Sequence, residues 1–190
     1  MQLPLKPDEA WHPIAECLPQ LLEIIDEVQK RNYSFDKELR EIASIKVSLD
    51  ESPQEDVVGM NSLYAQIQAQ QSRVSAIIMD IYQEKAWWQR IFYRTKRLYR
   101  KARGILLNTR DDIKKLKNKE LQEAALHEEI KELADLMDIL EQVIDDLDLS
   151  IDLAIVKRDE LDKANTNLSR QQKAIDTLIG LSYPVKAKRV

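Results

Sequence analysis

The feature that most constrains the fold is a heptad repeat of apolar residues in the C-terminal third of the chain. Two columns alternate at spacings of three and four residues, which place side chains on one face of an α-helix. The first column is Leu126, Leu133, Leu140, Leu147, Ala154, Leu161, Leu168 and Ile175. The second is Ile130, Met137, Ile144, Ile151, Arg158, Asn165, Gln172 and Ile179. A helix over about 110–179 would be roughly 105 Å long at ~1.5 Å per residue, a length typical of coiled coils.

Two earlier segments carry the same spacing. The first predicts a helix over about 19–50, with Asn32 and Lys46 as polar interruptions of its seam. A serine, a proline and a glutamate in Ser52–Glu55 form a capping-box pattern, which predicts a second helix over about 53–105. Gly104 and the Asn108-Thr109 pair supply the expected stop and a new cap.

Composition supports an all-α fold. The chain has only 3 glycines among 190 residues, whereas β-sheet proteins need frequent glycine-rich turns, and 33% of its residues are charged. We expect an elongated antiparallel helical hairpin or coiled coil of about three long helices, covering 18–180. A proline-punctuated, extended arm over 1–17 precedes it, and a short basic tail over 181–190 follows. The arm could pack on a helix of its own chain or serve as a docking peptide for a partner.

Heptads of this length can pair with helices of the same chain or with another copy. Polar residues in the seam, such as Arg158 and Gln172, fix register or oligomeric state at a cost in stability. We interpret them as specificity devices of a homo-oligomer. The predicted oligomerisation residues are Leu133, Leu140, Ile144, Leu147, Ile151, Leu161, Asn165 and Leu168.

A basic, aromatic-rich segment over 85–103 is the best functional clue. It contains no acidic residue and five aromatic residues, in a chain that is 6% aromatic. The stretch from Arg90 to Lys119 contains 12 Lys or Arg residues and two Asp residues, a local charge of +10 in a chain of net charge −4. A hairpin turn centred near 107 would place residue 94 opposite 120, away from the acidic run over 128–152. The hairpin tip is therefore predicted to be strongly basic.

Clustered cations attract phosphate, and exposed aromatic rings stack on unpaired bases. Trp88 lies on the seam and is expected in the core. The predicted nucleic-acid-binding residues are Arg90, Tyr93, Arg94, Lys96, Arg97, Tyr99, Arg100, Lys101, Arg103, Lys114 and Lys115. The same residue types also suit a protein interface, since Trp, Tyr and Arg form binding hot spots, or an anionic membrane surface. A plain solvated face is the remaining alternative.

Catalytic and cofactor motifs are missing from the sequence. It has no glycine-rich phosphate loop, no HExxH motif and a single cysteine, Cys17, which we expect to be a buried free thiol. His12 lies in the proline-rich arm, and His127 is expected at the surface of a charged helix. The acidic residues of 128–152 are expected to form a solvated face rather than a metal site. We therefore expect no enzymatic activity and no cofactor.

The sequence contains no run of eighteen apolar residues, so no membrane span is expected. Its N-terminal residues have no apolar core of the signal-peptide type. The expected location is the cytoplasm of the producing or infected cell, or an assembled particle. The leading hypothesis is an accessory protein that binds single-stranded DNA. Its division into a basic part and an oligomerising helix is similar in layout to small helical recombination mediators of phages, although no motif ties the chain to them. The alternative is a structural or adaptor component of a larger assembly, such as a phage virion component, whose basic tip docks on a protein.

Overall fold

The computed structural model describes residues 14–31, 34–45 and 57–182, and these ranges contain helices and no strand. The all-α prediction is confirmed at this level. The helices are α1 (Leu18–Lys30), α2 (Asp36–Ser44), α3 (Val57–Thr109), α4 (Asp111–Lys114), α5 (Lys119–Glu129) and α6 (Lys131–Ser182). The predictions for the N-terminal arm up to residue 13, Asn32, Lys46, the capping box at 52–55 and the tail beyond 182 lie outside the described residues.

The first predicted helix, over 19–50, is interrupted. The helix α1 has a proline in its first turn, as expected, but it ends at Lys30. Arg31 then adopts an extended backbone, and its side chain hydrogen-bonds to Glu84 of α3. A second short helix, α2, starts only at Asp36. A heptad count cannot detect such a break, because the side chains on both sides of it still bury apolar surface.

The second predicted helix runs past its expected end at residue 105 and continues to Thr109. Gly104 lies in the interior of α3 and does not terminate it. A helical glycine costs only about 1 kcal/mol relative to alanine. The neighbouring Ala102 and Leu106 are 0% and 1% exposed, so core packing on both sides of the glycine holds the helix together.

The third predicted helix, over 110–179, is divided into α4, α5 and α6. Asn118 has an extended backbone, and its side-chain oxygen accepts a 2.8 Å hydrogen bond from the Glu120 N–H. This N-cap starts α5 afresh, because an asparagine side chain satisfies a donor that a continuous helix would satisfy with its backbone. A second break falls at Ile130, a fully buried residue between α5 and α6.

The chain forms two compact units, each built from two separate segments. The first unit comprises Met1–Ser34 and Tyr82–Leu149. In it α1, α4, α5, the C-terminal part of α3 and the N-terminal part of α6 share a core. That core includes Leu21, Ile24, Val28, Trp88, Ile91, Leu98, Leu106, Leu126, Ile130, Leu133, Leu140 and Leu147. The leucines at 126, 133, 140 and 147 belong to the first heptad column, which is buried as its spacing indicated.

The second unit comprises Phe35–Ile81 and Ser150–Val190. Here α2, the N-terminal part of α3 and the C-terminal part of α6 contribute buried side chains. They include Ile42, Met60, Ile67, Val74, Ile77, Ile151, Ala154, Leu161 and Leu168. Arg73 of α3 pairs with Glu41 of α2, and Gln71 of α3 donates to Asp162 of α6. None of the helices in the described ranges combines the length and apolarity needed to cross a bilayer.

Replacement of Gly104 with alanine is expected to stabilise the protein by about 0.5–1 kcal/mol, because alanine restricts the unfolded chain and favours the helix. A Cβ added at this position would meet no atom within 4 Å. Urea unfolding followed by circular dichroism at 222 nm should show a higher midpoint with an unchanged slope. Ala102→Gly, two residues away, is the matched control and should shift the midpoint in the opposite direction. A lower midpoint for Gly104→Ala would contradict the prediction.

Candidate functional site

The structure places an exposed row of arginines around a tyrosine on α3, in the first unit. We define the basic face as Arg90, Tyr93, Arg97 and Arg100, four exposed residues spaced three or four apart along the helix. Their spacing puts them on one side of α3, away from the buried side that carries Trp88. Among the residues that the structure describes, the three arginines have no ion-pair partner.

Two other predicted binding residues are held by carboxylates on α1 or just before it. Arg94 donates through Nη1 to both carboxylate oxygens of Glu27 at 2.8 Å, and its Nη2 lies 3.5 Å from Glu23. The ammonium group of Lys101 lies 3.8 Å from the Glu16 carboxylate. These two cations border the basic face, and part of their charge is already neutralised within the chain.

The remaining predicted residues of 96–103 are half-buried. Arg103 pairs with Glu123 of α5. Lys96 places its ammonium 5.3 Å from the ring centroid of Phe92, a cation–π contact. Tyr99 is also half-buried. These groups therefore contribute to the packing of the first unit more than to its free surface.

The lysines near the turn follow α3 in the sequence and do not belong to the basic face. Lys114 ends α4, and Lys115 follows it as the C-cap. Both are exposed, as are Lys117 and Lys119 at the start of α5. They form a solvated cluster at the connection between α3 and α5.

The hairpin is centred further along the chain than the sequence predicted. Lys85 pairs with Asp148, and Arg103 pairs with Glu123, so both pairs are centred at about residues 113–117 rather than 107. The shift arises because α3 continues to Thr109 and the chain then adds α4 before it turns. The expectation that a turn near 107 places residue 94 opposite 120 was wrong. Part of the acidic run therefore lies alongside the basic segment and pairs with it.

The aromatic residues divide into core and surface. Trp88 is 1% exposed, as expected. Its ring packs edge-on against the ring of Trp87, with 4.9 Å between the ring centroids. Phe92 is half-buried and contacts Tyr93 at a centroid distance of 5.8 Å. Tyr93 itself is 64% exposed. It is the ring in the middle of the basic face that a ligand could reach.

A buried carboxylate lies next to the tryptophan pair. Glu84 is 9% exposed and accepts hydrogen bonds from Arg31 Nε and Trp88 Nε1, both at 2.9 Å, while Arg31 also pairs through Nη2. Hydrogen bonds from Arg31 hold the pKa of Glu84 below its ordinary value, against the opposing effect of burial. The guanidinium also lies 4.9 Å from the centroid of the Trp87 ring. The sequence gave no signal for a pair between Glu84 and Arg31, which are 53 residues apart.

The predicted oligomerisation residues are covered by their own chain. Six of them are at most 4% exposed, and Ile144 and Asn165 are half-buried. The six are Leu133, Leu140, Leu147, Ile151, Leu161 and Leu168. By contrast, Leu149, Leu153 and Val156, on successive turns of α6, are 56–61% exposed. The heptad columns did not include these three, so the sequence gave no signal for them.

A cleft opens between α1 and α3 beside the basic face. Its volume is about 300 Å³. It is lined by Gln20, Glu23 and Ile24 of α1 and by Arg94, Arg97, Leu98 and Lys101 of α3. The sequence identified the three cations but not the cleft, because α1 is more than 60 residues away along the chain.

No protein-family model, curated protein or solved structure matches this chain. Within the described ranges, no group of three or more His, Cys, Asp or Glu residues could hold a metal ion. The thiol of Cys17 is buried, and burial raises its pKa, which favours the unreactive protonated form.

Proposed function

We propose that this protein is not an enzyme and that it binds single-stranded nucleic acid through the basic face of α3. One observation carries the proposal. Tyr93 is 64% exposed in the middle of three arginines that have no carboxylate partner among the described residues. An aromatic ring in this setting can stack on a base while the guanidinium groups bind the neighbouring phosphates.

The dimensions of the face suit a short stretch of strand. Arg90 and Arg97 are about 10.5 Å apart along the helix axis at ~1.5 Å per residue. That length corresponds to about three phosphates at ~3.4 Å each in a stacked strand. Stacking on Tyr93 needs an unpaired base, so single strands are favoured over duplexes. Because such contacts involve the backbone and the faces of the bases, no sequence preference is expected.

The coiled-coil architecture and self-association are part of the same proposal. Asn165 supports it, since its Oδ1 is buried and has no hydrogen-bond partner in the part of the chain that the structure describes. A buried asparagine of this kind specifies register or oligomeric state when a second helix supplies the donor. Several copies would place several basic faces along one strand.

A different observation favours a second candidate function, that of a structural or adaptor component of a larger assembly. Leu149, Leu153 and Val156 follow one another on exposed turns of α6. An apolar row of this kind suits a protein partner. In this alternative the basic face would meet an acidic protein surface instead of phosphate.

The proposal is tested by fluorescence anisotropy with labelled single- and double-stranded oligonucleotides over a range of salt concentrations. The Arg90→Gln/Arg97→Gln/Arg100→Gln variant should bind the single strand much more weakly, and its log–log salt slope should fall by about 2, at ~0.7 per lost phosphate contact. Tyr93→Ala should weaken binding about 5- to 150-fold without changing the slope, which corresponds to ~1–3 kcal/mol for one stacked base.

The matched control is Lys163→Gln/Arg170→Gln/Lys173→Gln, which removes the same charge from three exposed residues of α6. It should bind almost as the unmodified protein does. If the unmodified protein binds no oligonucleotide even at low salt, the nucleic-acid proposal is wrong and the adaptor function becomes the better hypothesis. Equal losses in the test and control variants would show that net charge, not the basic face, drives binding.

A further inference from the structure

We propose that the cleft between α1 and α3 is a binding site for a phosphate group. The site is distinct from the stacking position at Tyr93, which does not line it. The inference does not depend on strand binding at the basic face, since a free phosphorylated small molecule could supply the same group.

The donors come from both helices. Arg94, Arg97 and Lys101 lie on successive turns of α3 and line one wall, and Gln20 of α1 lines the other. The three cations supply guanidinium and ammonium donors, and the Gln20 amide adds a neutral one. Two guanidinium groups and an ammonium group are the residue types that recognise phosphate oxygens through charge-assisted hydrogen bonds.

Cations outnumber carboxylates in the lining of the cleft. Among the described residues, three cations and one carboxylate, Glu23, line it, while Glu27 and Glu16 pair from outside the lining with Arg94 and Lys101. Glu27 engages Arg94 through Nη1 at 2.8 Å, and the Glu23 contact with Nη2 is longer, at 3.5 Å. Glu27 therefore orients Arg94 without occupying all of its donors. Arg97 has no ion-pair partner within the described ranges.

The floor of the cleft is apolar. Ile24 and Leu98 are 2% and 3% exposed and close the space between the two helices. An apolar floor lowers the local dielectric constant, which strengthens the attraction between the cations and a bound anion. The volume of about 300 Å³ is at the lower end of small-molecule sites. Among the described residues that line the cleft there is no aromatic ring, so the phosphate itself is the group that is recognised.

The test uses isothermal titration of the full chain with inorganic pyrophosphate at low salt, without divalent cations. The unmodified protein should bind, and Arg97→Gln/Lys101→Gln should weaken binding by about tenfold or more, as expected for lost charge-assisted hydrogen bonds. Arg90→Gln/Arg100→Gln removes the same charge from α3 outside the cleft and should change the affinity by less than about threefold, as expected of exposed charges. Gln20→Leu tests the shape of the site, because it removes a donor without a change of charge and should also weaken binding.

The outcomes separate this inference from the proposed function. Absence of pyrophosphate binding, or equal losses in the two double variants, would overturn the phosphate site while leaving strand binding untouched. Pyrophosphate binding without strand binding would support the site and contradict the proposed function. A competition arm at constant ionic strength identifies the source of the phosphate. Displacement of a labelled single strand by pyrophosphate indicates a strand phosphate, and binding without displacement indicates a free phosphorylated molecule.

Discussion

Trp88→Ala is expected to lower the free energy of unfolding by about 3–5 kcal/mol, the largest effect of any single substitution considered. The side chain is 1% exposed, so its removal leaves a cavity in the core of the first unit. It also removes the donor of the 2.9 Å hydrogen bond to Glu84. At about 2–4 °C per kcal/mol for a chain of this size, the melting temperature should fall by about 6–20 °C. Thermal unfolding followed by circular dichroism measures the change.

Tyr93→Ala is the matched control, since it deletes an aromatic ring five residues further along the same helix. Tyr93 is 64% exposed, and its loss should change stability by no more than about 0.5 kcal/mol. Trp88→Phe separates the two contributions, because phenylalanine fills most of the volume but cannot donate to Glu84. Equal destabilisation by Trp88→Ala and Tyr93→Ala would contradict the burial that the structure assigns to Trp88.

Arg31→Ala is expected to destabilise the protein by about 2–3 kcal/mol at neutral pH. Breaking a fully buried ion pair costs about 3–5 kcal/mol, and the smaller figure applies because the Arg31 side chain is 41% exposed. Glu84 would keep its charge in a buried position, with Trp88 Nε1 as its remaining hydrogen-bond donor among the described residues. The contact of Arg31 with the Trp87 ring would be lost as well. Urea unfolding at pH 7 measures the difference.

In the Arg31→Ala variant, protonation of Glu84 at low pH should stabilise the folded protein, whereas in the unmodified protein it destabilises the fold. In the unmodified protein the folded-state pKa of Glu84 is lowered, so its contribution to stability is present above about pH 4.3, the unfolded pKa, and is lost as pH falls through the folded pKa. Without Arg31, burial raises the folded pKa above the unfolded value. Protonation then stabilises the variant. The difference in the free energy of unfolding between the unmodified protein and Arg31→Ala should therefore narrow as pH falls from 7 towards 4.

Two variants check this interpretation. Arg73→Ala breaks the Arg73–Glu41 pair, in which the arginine side chain is 63% exposed, and should cost less than about 1 kcal/mol. In a Glu84→Gln background, the cost of Arg31→Ala in free energy of unfolding should not change between pH 7 and pH 4, because the titrating group is gone. If the cost of Arg31→Ala stayed constant from pH 7 to pH 4 in the protein that retains Glu84, the assignment of the pH dependence to this carboxylate would be contradicted.

The helical class and the main seam could be predicted from the sequence because both depend on short-range periodicity. The leucine column from Leu126 to Leu168 is at most 4% exposed, and Trp88 is in the core. The helix breaks at Arg31 and Asn118 could not be predicted in the same way. The first accompanies a side-chain pair between residues 31 and 84, and the second is a local cap that competes with an otherwise helical sequence.

The sequence shows which residues of the basic segment are cationic, but not which of them are paired. The sequence named Arg90, Arg97 and Arg100, which are exposed, but it also named Arg94 and Arg103, which pair with carboxylates. Which cation finds a partner depends on the register of helices that are distant in the chain. A turn centred about six to ten residues further along the chain was enough to place acidic side chains beside part of the basic segment. The cleft between α1 and α3 follows from that packing and from no local pattern.

The division of each unit between two distant segments governs how the protein can form during synthesis on the ribosome. The first unit needs residues up to Leu149, and the second needs residues from Ser150 onward as well as its first segment. The segment from Phe35 to Ile81 therefore emerges long before the partner that covers its apolar side. Vectorial folding cannot complete either unit early, so nascent chains would expose apolar helix faces to chaperones. For the same reason, neither unit can be obtained by simple truncation; each would have to be rebuilt with a new linker between its two segments.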